Sequence, residues 1–142
     1  MDLTTALDFA RDRKQGVLAT IRANGRPQLS NIMFVPGEGD TLRISVTADR
    51  AKTANLRRDP RASLYVVGEN FYQYAVIETT AELSAVAADP GDDTVDALVE
   101  YYRLGQGEHP NWDEYRATMV ADRRLVVTLV PERAYGMGVP GS

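Results

Sequence analysis

The dipeptide Asn24-Gly25 constrains this chain more than any other local feature, because a strand-like segment flanks it on each side. Residues 15–22 alternate around Val17, Ala19 and Ile21, and residues 26–34 return with strand-forming composition. An Asn-Gly pair between two such runs predicts a tight hairpin, since few other residues tolerate the positive φ that turns two strands back on each other. The chain therefore opens its sheet with an antiparallel pair.

The remaining periodicities extend that sheet. Leu42, Ile44 and Val46 alternate with Arg43, Ser45 and Thr47 as in a half-buried strand, after a loop at Pro36-Gly37-Glu38-Gly39-Asp40. Residues 61–67 predict a further strand. Gly68-Glu69-Asn70 predicts a turn, and the Tyr-, Val-, Ile- and Thr-rich run Tyr72 to Ser84 a long strand that bends or carries a bulge. Residues 124–131 predict the last long strand, with a short extension at Ala134 to Met137. Helices are few. Leu3 to Arg13 reads as one, with Thr4 or Thr5 as N-cap. Asp89-Pro90 predicts the start of another, with Val95, Leu98, Val99 and Tyr102 on one face and Gly105 as its stop. Asn111-Trp112-Asp113-Glu114 resembles a capping box that opens a third, with Tyr115 and Met119 inward. Mostly antiparallel strands with few helices imply a mainly β fold, a small barrel closed by local connections. At 142 residues, without repeat or linker, a single domain over 1–142 is expected.

Between Thr47 and Arg61 lies an unusual concentration of charge. Arg50, Lys52, Arg57, Arg58 and Arg61 occur together in a chain whose formal net charge is -4. Asp49 as N-cap and Pro60 as stop predict a short helix between them. Its first turn would present free N–H groups beside Arg50, Lys52 and Thr53, a combination suited to a phosphate. An acidic body carrying a local basic site points to a small anion and away from nucleic acid, which needs a broad basic surface.

Other chemistries find little support. The chain has no cysteine, which removes disulfides, thiolate metal sites and cysteine nucleophiles and suits a reducing cytoplasm. No run is long and apolar enough for a membrane span, and no signal peptide is apparent. His109, the single histidine, sits in Gly107-Glu108-His109-Pro110 and reads as a solvated loop residue. Asp89, Asp92, Asp93 and Asp96 read as helix capping, and no metal site is expected. In the hairpin's second strand Gln28 and Ser30 would share one face and Leu29 and Asn31 the other; polar groups there either meet solvent or bond a ligand's heteroatoms. Tyr72 and Tyr74 are expected on one common face.

Taken together, Gly16-Val17-Leu18-Ala19-Thr20, Gly25 to Asn31, Arg50 to Ser63, Tyr74-Ala75-Val76 and Tyr135-Gly136-Met137 resemble the flavin/deazaflavin split β-barrel family. The likeness is to its actinobacterial coenzyme F420-dependent branch, often called pyridoxamine 5′-phosphate oxidase-like. That resemblance implies a homodimer of split barrels with cofactor in two interfacial grooves. Arg50, Lys52 and Thr53 would hold the cofactor phosphate, and Arg57 or Arg58 the oligoglutamate tail. Gln28, Ser30 and Asn31 would meet the deazaflavin ring or its ribityl chain, and Tyr72, Tyr74 and Tyr135 are candidate proton donors or substrate contacts. Where relatives often carry tryptophan, this chain has Tyr72. The implied activity is hydride transfer from reduced F420 to a small, conjugated organic acceptor. The alternatives are an FMN-dependent enzyme of the same barrel and a non-catalytic F420 carrier or sensor.

Overall fold

The computed structural model describes all 142 residues. Seven strands, β1 (Gln15–Ile21), β2 (Pro27–Met33), β3 (Val35–Pro36), β4 (Leu42–Thr47), β5 (Arg61–Val67), β6 (Tyr74–Leu83) and β7 (Arg124–Met137), form one antiparallel sheet. Their order is β2-β1-β5-β6-β7-β4-β3. The two edge strands, β2 and β3, are consecutive in the chain and separated by Phe34 alone. A sheet whose edges are joined through one residue cannot lie flat, so it curls into a half-barrel. This is the mainly β architecture that the alternation predicts.

Four helices flank the sheet: α1 (Leu3–Arg13), α2 (Ala51–Arg58), α3 (Asp93–Gln106) and α4 (Trp112–Ala121). The register explains the core. Ser30, Leu18, Leu64, Ile77 and Ala134 stand in one cross-strand row; the last four are buried, and Leu7 and Phe9 of α1 and Leu56 of α2 pack into the same core. The neighbouring row, Asn31, Val17, Tyr65, Val76 and Tyr135, points to the opposite face, because side chains alternate along each strand. A separate cluster of Val95, Leu98, Val99, Tyr115 and Met119 joins α3 and α4 to Val126 of β7.

Several boundaries differ from those expected. Asp2 caps α1 by accepting from the Thr4 amide, so neither Thr4 nor Thr5 is the cap. Asp92 caps α3, because its carboxylate reaches the amides of Val95, Ala88 and Asp89 together; Asp89-Pro90 stays in the preceding turn. That helix runs through Gly105 and ends at Gly107, whose φ of 85° an L side chain rarely adopts. Pro36 belongs to β3. Tyr72 lies in the turn before β6 and not in the strand. The bulge expected in the 72–84 strand falls on its partner: Glu78 pairs with Arg133 but Thr79 with Pro131, leaving Glu132 unpaired. That irregularity lets a proline, which has no amide to donate, sit inside a central strand. Residues 134–137 then continue β7 without a break.

The hairpin turn also has its own geometry. Gly25 has φ 84°, whereas Asn24 is not at positive φ, and the Arg22 carbonyl accepts from the Gly25 amide while the Arg22 amide donates to Arg26. This is the three-residue connection that ends in a left-handed glycine.

Candidate functional site

Helix α2 begins where β4 ends, and β4 is tied along its length to β7 with Thr47 opposite Arg124. That pairing brings Arg123 and Arg124 beside the basic segment from about 70 residues away in sequence. Thr47, Asp49, Arg50 and residues 121–124 line an open cavity of about 590 Å³. Sequence reasoning missed this half of the site, since nothing in the spacing of a tandem arginine says which strand it will face.

Asp49 is not the cap of α2. The Ncap residue is Arg50, which makes no side-chain capping bond. The Asp49 carboxyl is held below the usual carboxylate range by the Thr47 side chain first, then its own backbone amide and the nearby Arg50 and Arg123. The first two amides of the helix, those of Ala51 and Lys52, have no partner within it.

The basic residues divide into two groups. Arg61 forms a two-point pair with Asp59, at 3.0 and 2.7 Å. Arg58 donates to the Ile21 carbonyl at 2.6 Å and to Asn55 Oδ1 at 3.0 Å, so it fastens α2 to β1. Arg50, Lys52, Arg57 and Arg123 have no carboxylate partner. Arg124 donates to Ser45 Oγ at 3.3 Å and stands 4.0 Å from Asp122, but its buried Nε has no hydrogen-bond partner. Lys52 differs from the other unpaired cations because it is half-buried, and they are exposed. Burial lowers its pKa from the ordinary lysine value, and the like charges of Arg50 and Arg124 lower it further. A desolvated ammonium among guanidiniums is electrostatically incomplete, and an anion would complete it.

Thr53 is fully buried, and its hydroxyl donates to the Thr47 carbonyl at 2.7 Å. Its one proton is therefore committed to the backbone. Asn55, one turn beyond Lys52, is the other buried polar residue of the helix. It donates to Thr20 Oγ1 at 3.1 Å and to Gln28 Oε1 at 2.8 Å, binding the helix to both strands of the hairpin. Asn55 escaped sequence reasoning because an asparagine inside a helical run signals only weak propensity.

The other expected site residues do not all converge. Gln28 and Ser30 lie on the inner face of β2. Asn31 points to the outer face, where it borders a cavity of about 420 Å³ with Val17, Met33 and Val67. Tyr74 stacks on Tyr65 with centroids 5.7 Å apart and planes at 25°. Tyr135 lies on the same outer face, in an apolar hollow of about 380 Å³ with Leu29, Tyr65 and Val76. Tyr72 sits apart from them in its turn, 71% exposed and edge-on to Phe71. His109 lies in the loop between α3 and α4 as expected, but it is only partly solvated. Its ring is half-buried among Tyr102, Trp112 and Tyr115, and Nδ1 accepts from the Asn111 amide at 2.9 Å.

Solved structures share this fold. An F420 reductase superposes with a TM-score of 0.68 at 22% identity, covering 90% of this chain and 94% of that one. A conserved hypothetical protein of Mycobacterium tuberculosis gives 0.74 at 22% identity over 99% and 86%. A pyridoxamine 5′-phosphate oxidase-related, FMN-binding protein of Nostoc punctiforme gives 0.60 at 17% identity over 93% and 79%. At these identities the likeness establishes the fold. The curled sheet with its flanking helices is thus the split β-barrel, and none of its helices is long and apolar enough to cross a membrane. Family membership follows from the sequence itself: residues 4–137 match the pyridoxamine 5′-phosphate oxidase family, and the chain belongs to it.

Proposed function

We propose that this protein is a coenzyme F420-dependent oxidoreductase that passes a hydride from the reduced deazaflavin to a small conjugated acceptor. The observation that carries the reading is Lys52, half-buried and without a counter-ion, flanked by Arg50 and Arg124. These residues fit an anionic cofactor. Lys52, with the free amides of Ala51 and Lys52, would hold a phosphate, while Arg50, Arg57, Arg123 and Arg124 offer more positive charge than one phosphate needs. That surplus favours F420, with its oligoglutamate tail, over FMN, whose single phosphate the same residues could take. The solved F420 reductase of similar fold adds support.

The bound deazaflavin would supply the two-electron chemistry, so no nucleophile or metal is required of the chain. The contribution of the protein is positional. Lys52 fixes the anionic end, Gln28 and Ser30 face inward with Gln28 bonded to Asn55 of α2, and Tyr65, Tyr74 and Tyr135 lie on the outer face of the sheet, where their rings offer aromatic contacts to a planar acceptor. The proton that completes reduction would come from one of Tyr72, Tyr74 and Tyr135 or from water.

The functional unit is proposed to be a homodimer. The outer sheet face exposes Leu29, Tyr65, Val67, Tyr135 and Met137, and such apolar cover over a sheet asks for a second surface. Sedimentation should give twice the chain mass; a monomer binding cofactor at full strength would remove the dimer from the account.

Titration with F420 and with FMN, followed by stopped-flow oxidation of the bound reduced cofactor, tests the whole reading. Deuterium placed at C5 of reduced F420 should appear in the product. Tight binding with no oxidation across enones, quinones and linear tetrapyrroles would make the protein a carrier or sensor, and preference for FMN would make it a flavoenzyme.

A further inference from the structure

The hydrogen bonds around Asn55 run in one direction only. Arginine has donors and no acceptor, so Arg58, donating at 3.0 Å, obliges the atom of Asn55 that faces it to be oxygen. Arg58 is itself fixed by its 2.6 Å bond to the Ile21 carbonyl. The opposite end of the Asn55 amide must then be nitrogen, and it donates to Thr20 and, at 2.8 Å, to Gln28. A donor at that distance obliges Gln28 to turn its oxygen inward. The Gln28 Nε2 group consequently points away from Asn55; no bond within the chain uses it, and it is not among the buried atoms lacking a partner.

We infer that Asn55 is a positioning residue that sets the Gln28 side chain as a hydrogen-bond donor toward the cofactor. A free glutamine can present either end of its amide and so meets donors and acceptors alike. Pinned through Asn55 and Arg58, Gln28 offers N–H alone and accepts only an acceptor atom, such as a carbonyl, hydroxyl or ring-nitrogen lone pair. Lys52 lies one helical turn from Asn55, so the same turn of α2 that holds the anion also fixes this polar contact. The inference rests on the functional reading for the identity of the ligand but not for the orientation of the amide.

The orientation is testable without cofactor. In side-chain amide NMR of the ligand-free protein, the Asn55 Nδ2 protons should exchange slowly with solvent and the Gln28 Nε2 protons rapidly. The reverse pattern would overturn the inference. Gln28→Glu keeps the acceptor toward Asn55 and removes the outward donor. It should preserve slow Asn55 exchange and the melting temperature while weakening F420 or FMN, whichever the wild type binds, by about tenfold. Asn55→Asp keeps the acceptor for Arg58, removes the donor to Gln28 and should weaken binding similarly. Wild-type affinity in Gln28→Glu would show that the donor is unused, and wild-type affinity in Asn55→Asp that Gln28 needs no positioning; either result overturns the inference. A wild type that binds neither cofactor would instead overturn the functional reading, leaving the amide exchange pattern to decide the orientation.

Discussion

Two regions of the molecule handle positive charge in opposite ways. In the α3–α4 unit the cations are answered locally. Arg116 meets Asp96 at 3.0 Å and the Pro90 carbonyl at 2.8 Å, Arg103 meets Glu108 at 3.1 Å and lies 4.8 Å over the Trp112 ring, and Arg43 faces Glu100 at 3.8 Å. Around the start of α2, Arg50, Lys52 and Arg123 are left unanswered, as is Arg57 in its last turn, and Lys52 is partly taken from water as well. A region that only has to fold can neutralise its own charges. One that leaves a desolvated ammonium unpaired accepts lower stability in the free state, which is the expected signature of a ligand site.

The largest effect that would sharpen this contrast is Leu98→Ala, which removes a fully buried side chain from the α3–α4 cluster. It should cost about 2–5 kcal/mol of stability, read by chemical denaturation, and leave cofactor affinity unchanged below the melting transition. Lys52→Ala should do the opposite. F420 affinity should fall about ten- to a hundredfold while thermal stability holds or rises; a lower melting temperature with unaltered binding would make the basic segment structural and dissolve the contrast.

A pH series examines the same residue. Because the folded state lowers the Lys52 pKa, its charge is a burden on the free protein that is relieved as pH rises through that lowered value. A bound anion favours the charged form, so affinity should be full at neutral pH and decline as pH climbs through the lowered pKa, before the ordinary lysine value is reached. Lys52→Arg should remove that decline. The smallest change is Asp96→Asn, which breaks the partly exposed pair with Arg116 and should cost less than about 1 kcal/mol, with no effect on binding.

The strand pattern was legible because alternation marks strands, and in β4 it also named the buried face, Leu42, Ile44 and Val46; in β1 it named the wrong one, since Val17, Ala19 and Ile21 lie on the outer face while Leu18 and Thr20 are buried. Caps were less legible, since Asp2, Asp92 and the acids near them compete for one role and only the three-dimensional path of the turn selects the winner. At the candidate site, local sequence singled out the basic segment around Lys52 but could not reveal that Arg58 and Thr53 bond the backbone. Nor could it bring in Arg123 and Arg124, whose place depends on the β4–β7 register. The face of Asn31 followed from simple alternation, and so did its separation from Gln28.

The unanswered charge at α2 is proposed to bind the anionic part of a deazaflavin. This role is tested most directly by titrating the protein with F420 and with the same chromophore lacking phosphate and tail, in wild type and in Lys52→Ala. Wild type should bind F420 at least about tenfold more tightly than the bare chromophore, and the difference should shrink in the variant. Equal affinity for the two ligands in the wild-type protein would contradict that role.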